Sequence, residues 1–143
     1  MSEIAIIIPT FNSYKVTAKT VKKLLIQNSK VKFDIIIVDC GSTDWIKLKE
    51  MFAGYSNVII ISCDQNLGGA GSFRLGLRYA RKKGYLYYIL TDNDAIPLDN
   101  ELISELIDHA HGYGGIVVPR HVLEDFFPIK ETEFISRPFH YYT

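Results

Sequence analysis

Four short apolar runs separated by longer amphipathic stretches set the plan of this chain. Ile4-Ala5-Ile6-Ile7-Ile8 is nearly continuous in hydrophobicity and is stopped by Pro9, which reads as a strand covered on both faces. Thr17, Thr20, Val21, Leu24, Leu25 and Asn28 then recur at helical spacing with lysines between them, and Asn12 or Ser13 is placed to cap that helix. A second strand runs from Phe33 to Val38 and ends at Asp39; Ser42 to Asp44 can open a short helix reaching about Phe52. A third strand spans Asn57 to Cys63. After a glycine-rich turn, a helix with Phe73, Leu77 and Ala80 inward is expected to run to Lys83, with Gly84 at the position past its end that favours a left-handed residue. Tyr85 to Thr91 is the fourth strand. Asp99 then precedes an apolar stripe of Leu102, Ile103, Leu106, Ile107 and Ala110, and Ile116-Val117-Val118 reads as a fifth, short strand. Alternation of this kind predicts an α/β fold: a mostly parallel open sheet with helices on both faces.

The alternation covers residues 1–119. From 120 to 143 the periodicity fades, and Phe126, Phe127, Phe134, Phe139, Tyr141 and Tyr142 stand in a segment with no clear element. So many aromatics suit a segment that packs back on the sheet, covers a partner or leads into more protein, and self-association through it is expected. The chain has sixteen basic and sixteen acidic residues, which disfavours a broad nucleic-acid surface. The strand-like runs are too short to span a bilayer. Met1-Ser2-Glu3 carries neither a basic region nor a cleavage-like site, so no signal peptide is expected and the location is read as cytoplasmic. Two cysteines, Cys40 and Cys63, do not make a disulfide framework. They end successive strands and so are candidates to be neighbours in space, but they lack C-x-x-C spacing, and reduced thiols are the expectation.

In a parallel sheet the loops after the strands gather at one edge, where ligands bind. That edge would collect Thr10 and Asn12, Asp39, Asn66 to Gly71, and Asp92 and Asp94. Asp92-Asn93-Asp94 suits a hard divalent cation, Mg²⁺ or Mn²⁺, held by one or two carboxylates and substrate phosphates; a solvated acidic turn is the plainer alternative. Asp39 can accept from a base or ribose, or cap nearby backbone amides. Gly68, Gly69 and Gly71 allow either close approach of a ligand to a helix N-terminus or tight packing of that helix on the sheet. The stretch matches neither the nucleoside-triphosphate P-loop nor the dinucleotide fingerprint, since Arg74 occupies the last glycine position of the latter. Arg74 is near enough to the helix start to reach a phosphate. Arg78 and Arg81 read as a solvated face, and His109 and His111 cannot share a helical face as a metal pair.

Several stretches together resemble the family-two glycosyltransferases. Ile6-Ile7-Ile8-Pro9-Thr10-Phe11-Asn12 is similar to their opening V-x-P-T-Y/F-N. Ile37-Val38-Asp39-Cys40-Gly41-Ser42-Thr43-Asp44 is similar to V-D-D/N-G-S-T-D. Asn66-Leu67-Gly68-Gly69-Ala70-Gly71 resembles the form found in rhamnosyl- and galactofuranosyltransferase-like members, and Asp92-Asn93-Asp94 resembles their D-x-D. The resemblance implies a GT-A fold, a UDP- or dTDP-sugar donor and a divalent cation. It puts Pro9, Thr10 and Asn12 at the nucleoside, Asp39 at the base, and Asn66, Gly68 and Gly69 beside the donor. Arg74 is a weaker carry-over. Asp92 would lie near ribose or sugar, with Asp94 the main metal ligand and Asp92 its neighbour. Cys40 departs from the usual acid or amide. Glu124-Asp125 comes too soon after Asp94 to match the family's general base, so the base is expected outside this chain and the chain is expected to be the donor-binding portion. A nucleotide-sugar-binding module without transfer activity is the alternative. An α/β nucleotidyltransferase fits the paired motifs less well. Members of the family often sit at the inner face of the membrane, a peripheral role that nothing in the sequence specifies.

Overall fold

A computed structural model describes residues 2–113, 115–119 and 134–137. The strands are β1 (Ile4–Thr10), β2 (Phe33–Cys40), β3 (Val58–Cys63) and β4 (Tyr87–Leu90), all parallel in the order β3-β2-β1-β4. Helices α1 (Tyr14–Leu25), α2 (Trp45–Met51), α3 (Gly68–Lys83) and α4 (Leu102–Tyr113) connect or follow them. The expected α/β architecture is present.

The sheet has two covered faces, which is why β1 is apolar at successive positions. Ile4, Ile6 and Ile8 point to one side, with Ile35 and Ile37 of β2. They pack under Ala18, Val21 and Leu24 of α1, Leu48 of α2 and Ile103 and Ile107 of α4. Ala5 and Ile7 point to the other side, with Ile36 and Val38, beneath Ala80 of α3. A Cβ added to Gly76 of α3 would stand 2.4 Å from Ile7 Cγ2, so this glycine sets how closely the helix lies on the sheet. Gly84 closes α3 in the left-handed conformation (φ 83°), and its amide donates back to Ala80 O and Arg81 O, as its place in the sequence predicts.

Several expectations change. Ile116–Pro119 forms β5, but not in the parallel sheet. It pairs antiparallel with β6 (Phe134–Arg137) in a separate two-stranded sheet. A run of three apolar residues specifies a strand without specifying its partner or direction. Among the described residues, the aromatic-rich segment contributes β6; its other residues, with the expected self-association, lie outside those described. Helix α1 ends at Leu25 rather than Asn28. Asn28 instead takes its amide to Asn100 O and its side chain to Glu101 Oε1, tying the end of α1 to the approach to α4. Cys40 and Cys63 are opposite one another in the β2–β3 register, with Cα atoms 4.7 Å apart, and are joined as a disulfide. The expectation of reduced thiols is not met, because strand alignment brings together two residues whose spacing in the sequence says nothing of contact.

Candidate functional site

The strand order reverses at β1. From β1 the chain builds outward through β2 and β3, then returns to the far side of β1 as β4. The carboxyl ends of β1 and β4 lie side by side at this reversal, on the edge where such sheets take ligands. Pro9, Thr10, Asn12, Asp39, Asn66, Gly68, Gly69, Asp92 and Asp94 lie on this edge, and Arg74 lies on the helix that starts there.

Three loops are stitched together beneath it. Asn12 holds a left-handed conformation (φ 48°) that an asparagine tolerates better than most residues. Its amide donates to Ser42 Oγ at 2.7 Å, and its Oδ1 accepts from Thr43 N at 3.1 Å. Ser42 N in turn donates to Asp39 Oδ1 at 3.0 Å. The β1 loop, the β2 loop and the last residues of β2 thus form one hydrogen-bonded unit. Asp39 is buried, and its Oδ1 caps the Ser42 backbone amide. Gly41 (φ 86°) extends the unit to the β3 loop: a Cβ there would stand 3.0 Å from Asn66 N. Asn66 Oδ1 accepts from Gly68 N at 2.9 Å, closing the turn into α3. Helix α3 has no side-chain cap beyond this, and Gly68, Gly69 and Ala70 are exposed, so first-turn amides face the edge.

Thr10 is buried. Its Oγ1 is 2.7 Å from Thr17 Oγ1 and 3.3 Å from Ser13 Oγ, so its hydroxyl belongs to a network inside the fold. The same network holds the β4 loop. Asn93 Nδ2 donates to Ser13 Oγ at 2.7 Å and to Thr17 Oγ1 at 3.2 Å, and Thr20 Oγ1 donates to Asn93 O at 2.6 Å. Asp92 and Asp94, on either side, are both exposed. Pro9 is partly buried at the end of β1, and Arg74 is exposed on α3 with no contact to either acid. Glu124 and Asp125 lie outside the described residues.

Ser13, Thr17, Thr20, Ser42 and Asn93 are the participants that sequence reasoning missed. A signal existed for two of them: Thr17 and Thr20 recur within an otherwise apolar helical stripe, and a buried hydroxyl needs a partner.

As a metal site the donor set is sparse. Among the described residues no three His, Cys, Asp or Glu side chains gather into a cage. Two exposed carboxylates do fit Mn²⁺ or Mg²⁺, which need few protein ligands when substrate phosphates complete the shell. A cleft of about 550 Å³ lies at the opposite, amino end of the sheet, lined by Ser2, Gln27, Lys32, Asp34 and Asn57 among others. It gathers none of the candidate residues. No helix among the described residues is long and apolar enough to cross a membrane.

The chain is similar to known proteins in sequence and in fold. Residues 5–140 match the model of a family described as Glycosyl transferase family 2. The chain is 34% identical over 124 residues to the uncharacterized protein MJ0544 of Methanocaldococcus jannaschii, covering 81% of this chain and 52% of that protein, about half its length. The crystal structure of S. aureus TarS 1-349 in complex with UDP superposes with a TM-score of 0.70 at 22% identity, over 92% of this chain and 40% of that one. The mannosyltransferase PcManGT from Pyrobaculum calidifontis, in complex with GDP-Man and Mn²⁺, superposes with a TM-score of 0.64 at 18% identity, over 76% of this chain and 32% of that one. At these identities the solved structures establish the GT-A fold alone.

Proposed function

Because the chain belongs to glycosyl transferase family 2, we propose that it binds a nucleoside-diphospho-sugar at the carboxyl edge of its sheet and serves metal-dependent, inverting transfer of the sugar to an acceptor hydroxyl. The observation that carries this reading is the β4 loop: Asp92 and Asp94 are exposed at the point where the strand order reverses, on the same edge of the sheet as the start of α3. The complexes of TarS with UDP and UDP-GlcNAc, and of PcManGT with GDP-Man and Mn²⁺, support it by analogy of fold.

In this reading Asp94 is the main ligand of Mn²⁺ or Mg²⁺, and Asp92 lies toward the cation and the ribose or sugar. The bound cation supplies Lewis-acid stabilisation of the charge that grows on the departing diphosphate. With the Gly68 amide held by Asn66, the first-turn amides of α3 at Gly69 and Ala70 offer their dipole to the same phosphates, and Arg74 adds a positive charge one turn further on. Pro9, Thr10 and Asn12 shape the floor of the nucleoside site, the last two through loop geometry because the Thr10 hydroxyl and the Asn12 backbone amide and Oδ1 are already engaged. Phe11, 46% exposed, presents an aromatic face there. Asp39 meets the base through the oxygen that Ser42 does not use. The acceptor oxygen bonds to the anomeric carbon as the bond to diphosphate breaks, and its proton passes to a base that this reading assigns to no described residue. The Asn66–Gly71 sequence favours UDP- or dTDP-linked rhamnose-like or galactofuranose-like donors.

Calorimetry with UDP, dTDP and GDP, each with and without Mn²⁺, tests the site. UDP or dTDP is expected to bind at least tenfold more tightly with Mn²⁺, and Asp94→Asn is expected to remove that gain while leaving metal-free binding in place. Absence of heat with every nucleotide would sink the assignment. A second reading, a nucleotide-sugar-binding module without transfer, is favoured by one fact: the chain spans only 52% of MJ0544 and 40% of the TarS chain. Nucleotide release from the sugar donor by this chain alone, assayed with simple acceptors, separates the two.

A further inference from the structure

Between the two exposed acids stands a residue that faces the other way. Asn93 is half-buried and bonded on both its side chain and its backbone to the start of α1. The polarity of the contact can be worked out. Ser13 Oγ donates to Phe11 O at 3.1 Å, and Thr17 Oγ1 donates to Ser13 O at 3.0 Å. Both hydroxyl protons are therefore spent on carbonyls, and both oxygens present lone pairs. Only a donor fits between them, which fixes the NH₂ side of the Asn93 amide toward α1. Thr17 and Thr20 have no solvent exposure, so this anchoring is shielded from competing water.

The loop needs such an anchor. Two carboxylates separated by one residue repel when ionised, and both are exposed, so nothing in their own contacts orients them. Pinning the middle residue inward turns both neighbours outward. Thr91 N bonded to Ile7 O and Ala95 N bonded to Asp92 O hold the loop on either side. We infer that Asn93, clamped by Ser13, Thr17 and Thr20, is a positioning residue that aims Asp92 and Asp94 at the donor's diphosphate and its cation. The inference rests on the donor-site reading above and adds to it a requirement for a donor group at position 93 and a hydroxyl at position 20.

Asn93→Asp is the informative variant. It adds a third acid beside the two, so a loop in which carboxylate number alone matters would bind Mn²⁺ more tightly. In the clamp, a carboxylate sets acceptor against acceptor and releases the loop. Free Mn²⁺ is measured by electron paramagnetic resonance in the presence of UDP, on protein whose near-ultraviolet circular dichroism matches the native chain. Asn93→Asp is expected to weaken Mn²⁺ binding by about tenfold or more, the usual cost of losing a group that orients a metal ligand. Thr20→Val, nearly isosteric, is expected to weaken it in the same direction, and Thr20→Ser to restore the native value. UDP binding without metal is expected to stay within about twofold in all three, a pattern that a general loss of stability would not produce. Native or tighter Mn²⁺ binding in Asn93→Asp, or equal binding in Thr20→Val and Thr20→Ser, overturns the inference. Should Asn93→Asp not fold, the position-20 pair decides alone. If the native chain binds UDP without any effect of Mn²⁺, the donor-site reading loses its metal and this inference falls with it, a failure visible before any variant is made.

Discussion

Replacing Gly76 by alanine tests how the site-bearing helix is seated. The added methyl would stand 2.4 Å from Ile7 Cγ2 and 3.0 Å from Val38 Cγ2, where ordinary contact is 3.4–4 Å. The closer approach is therefore short by about 1 Å. Neither neighbour can yield cheaply. Both are fully buried and β-branched, so their χ1 angles are stiff, and Ile7 is flanked in the sheet by Ile36 and Leu90. The helix must lift instead. Overpacking of this kind costs about 1–3 kcal/mol, and a clash on two fixed methyl groups belongs in the upper half. Alanine recovers about 1 kcal/mol of helix propensity. The net loss is about 1–2 kcal/mol, or about 3–6 °C in Tm for a chain of this size. Urea unfolding followed by circular dichroism reads the change as a lower midpoint at unchanged slope. Gly69→Ala, whose Cβ meets nothing within 4 Å, is the control and is expected to hold or gain a few tenths of a kcal/mol. A Gly76→Ala protein as stable as the native chain would refute the packing of α3 on β1, and with it the placement of the α3 N-terminus at the site.

Two further outcomes follow from contacts at the two ends of the sheet. Reducing Cys40–Cys63 with a dithiol opens a link across a sequence separation of 23 and is expected to lower stability by about 3 kcal/mol through chain entropy; native-state thiol titration should rise from none to two, and an unchanged denaturation midpoint would count against the pairing. Tyr85 OH donates to Asp34 Oδ2 at 2.5 Å, and burial, then the hydrogen bond and charge of Asp34, push its ionisation well above the usual phenol range. The unfolded chain therefore releases this proton first, so stability is full below about pH 10 and falls as pH rises beyond it. Tyr85→Phe should flatten that alkaline slope, and an unaltered slope would place the titrating group elsewhere.

Much of the fold was legible because the burial geometry is written in single residues. Ile4 to Ile8 is apolar without alternation, and β1 is covered on both faces. Leu102, Ile103, Leu106 and Ile107 repeat at helical spacing, and Ile103 and Ile107 enter the same core as α1. Gly84 sits where a left-handed residue is needed and adopts one. Relations between distant segments were not legible. The partner of Ile116–Pro119 depends on which strand edge reaches it, and the bond between Cys40 and Cys63 depends on the β2–β3 register. Neither is a local property of the chain.

The same division runs through the site. The edge that gathers the candidate loops could be read, because parallel strands send their loops to one side of the sheet. The allocation of polar atoms could not, because each loop residue has a choice between ligand and neighbour. Thr10 gives its hydroxyl to the Thr17 and Ser13 network, Asn12 gives its amide and carbonyl oxygen to the Ser42–Thr43 turn, and Asp39 gives an oxygen to Ser42 N. These motif residues act first on one another, fixing three loops into one unit. Polar groups that these bonds leave facing outward include Asp92, Asp94 and the α3 amides after Gly68. A substitution at Thr10 or Asn12 would therefore change donor affinity by moving loops, with a loss of stability alongside. One at Asp94 would change the metal-dependent part of affinity at nearly constant stability, since an exposed acid on a pinned loop contributes little to the fold.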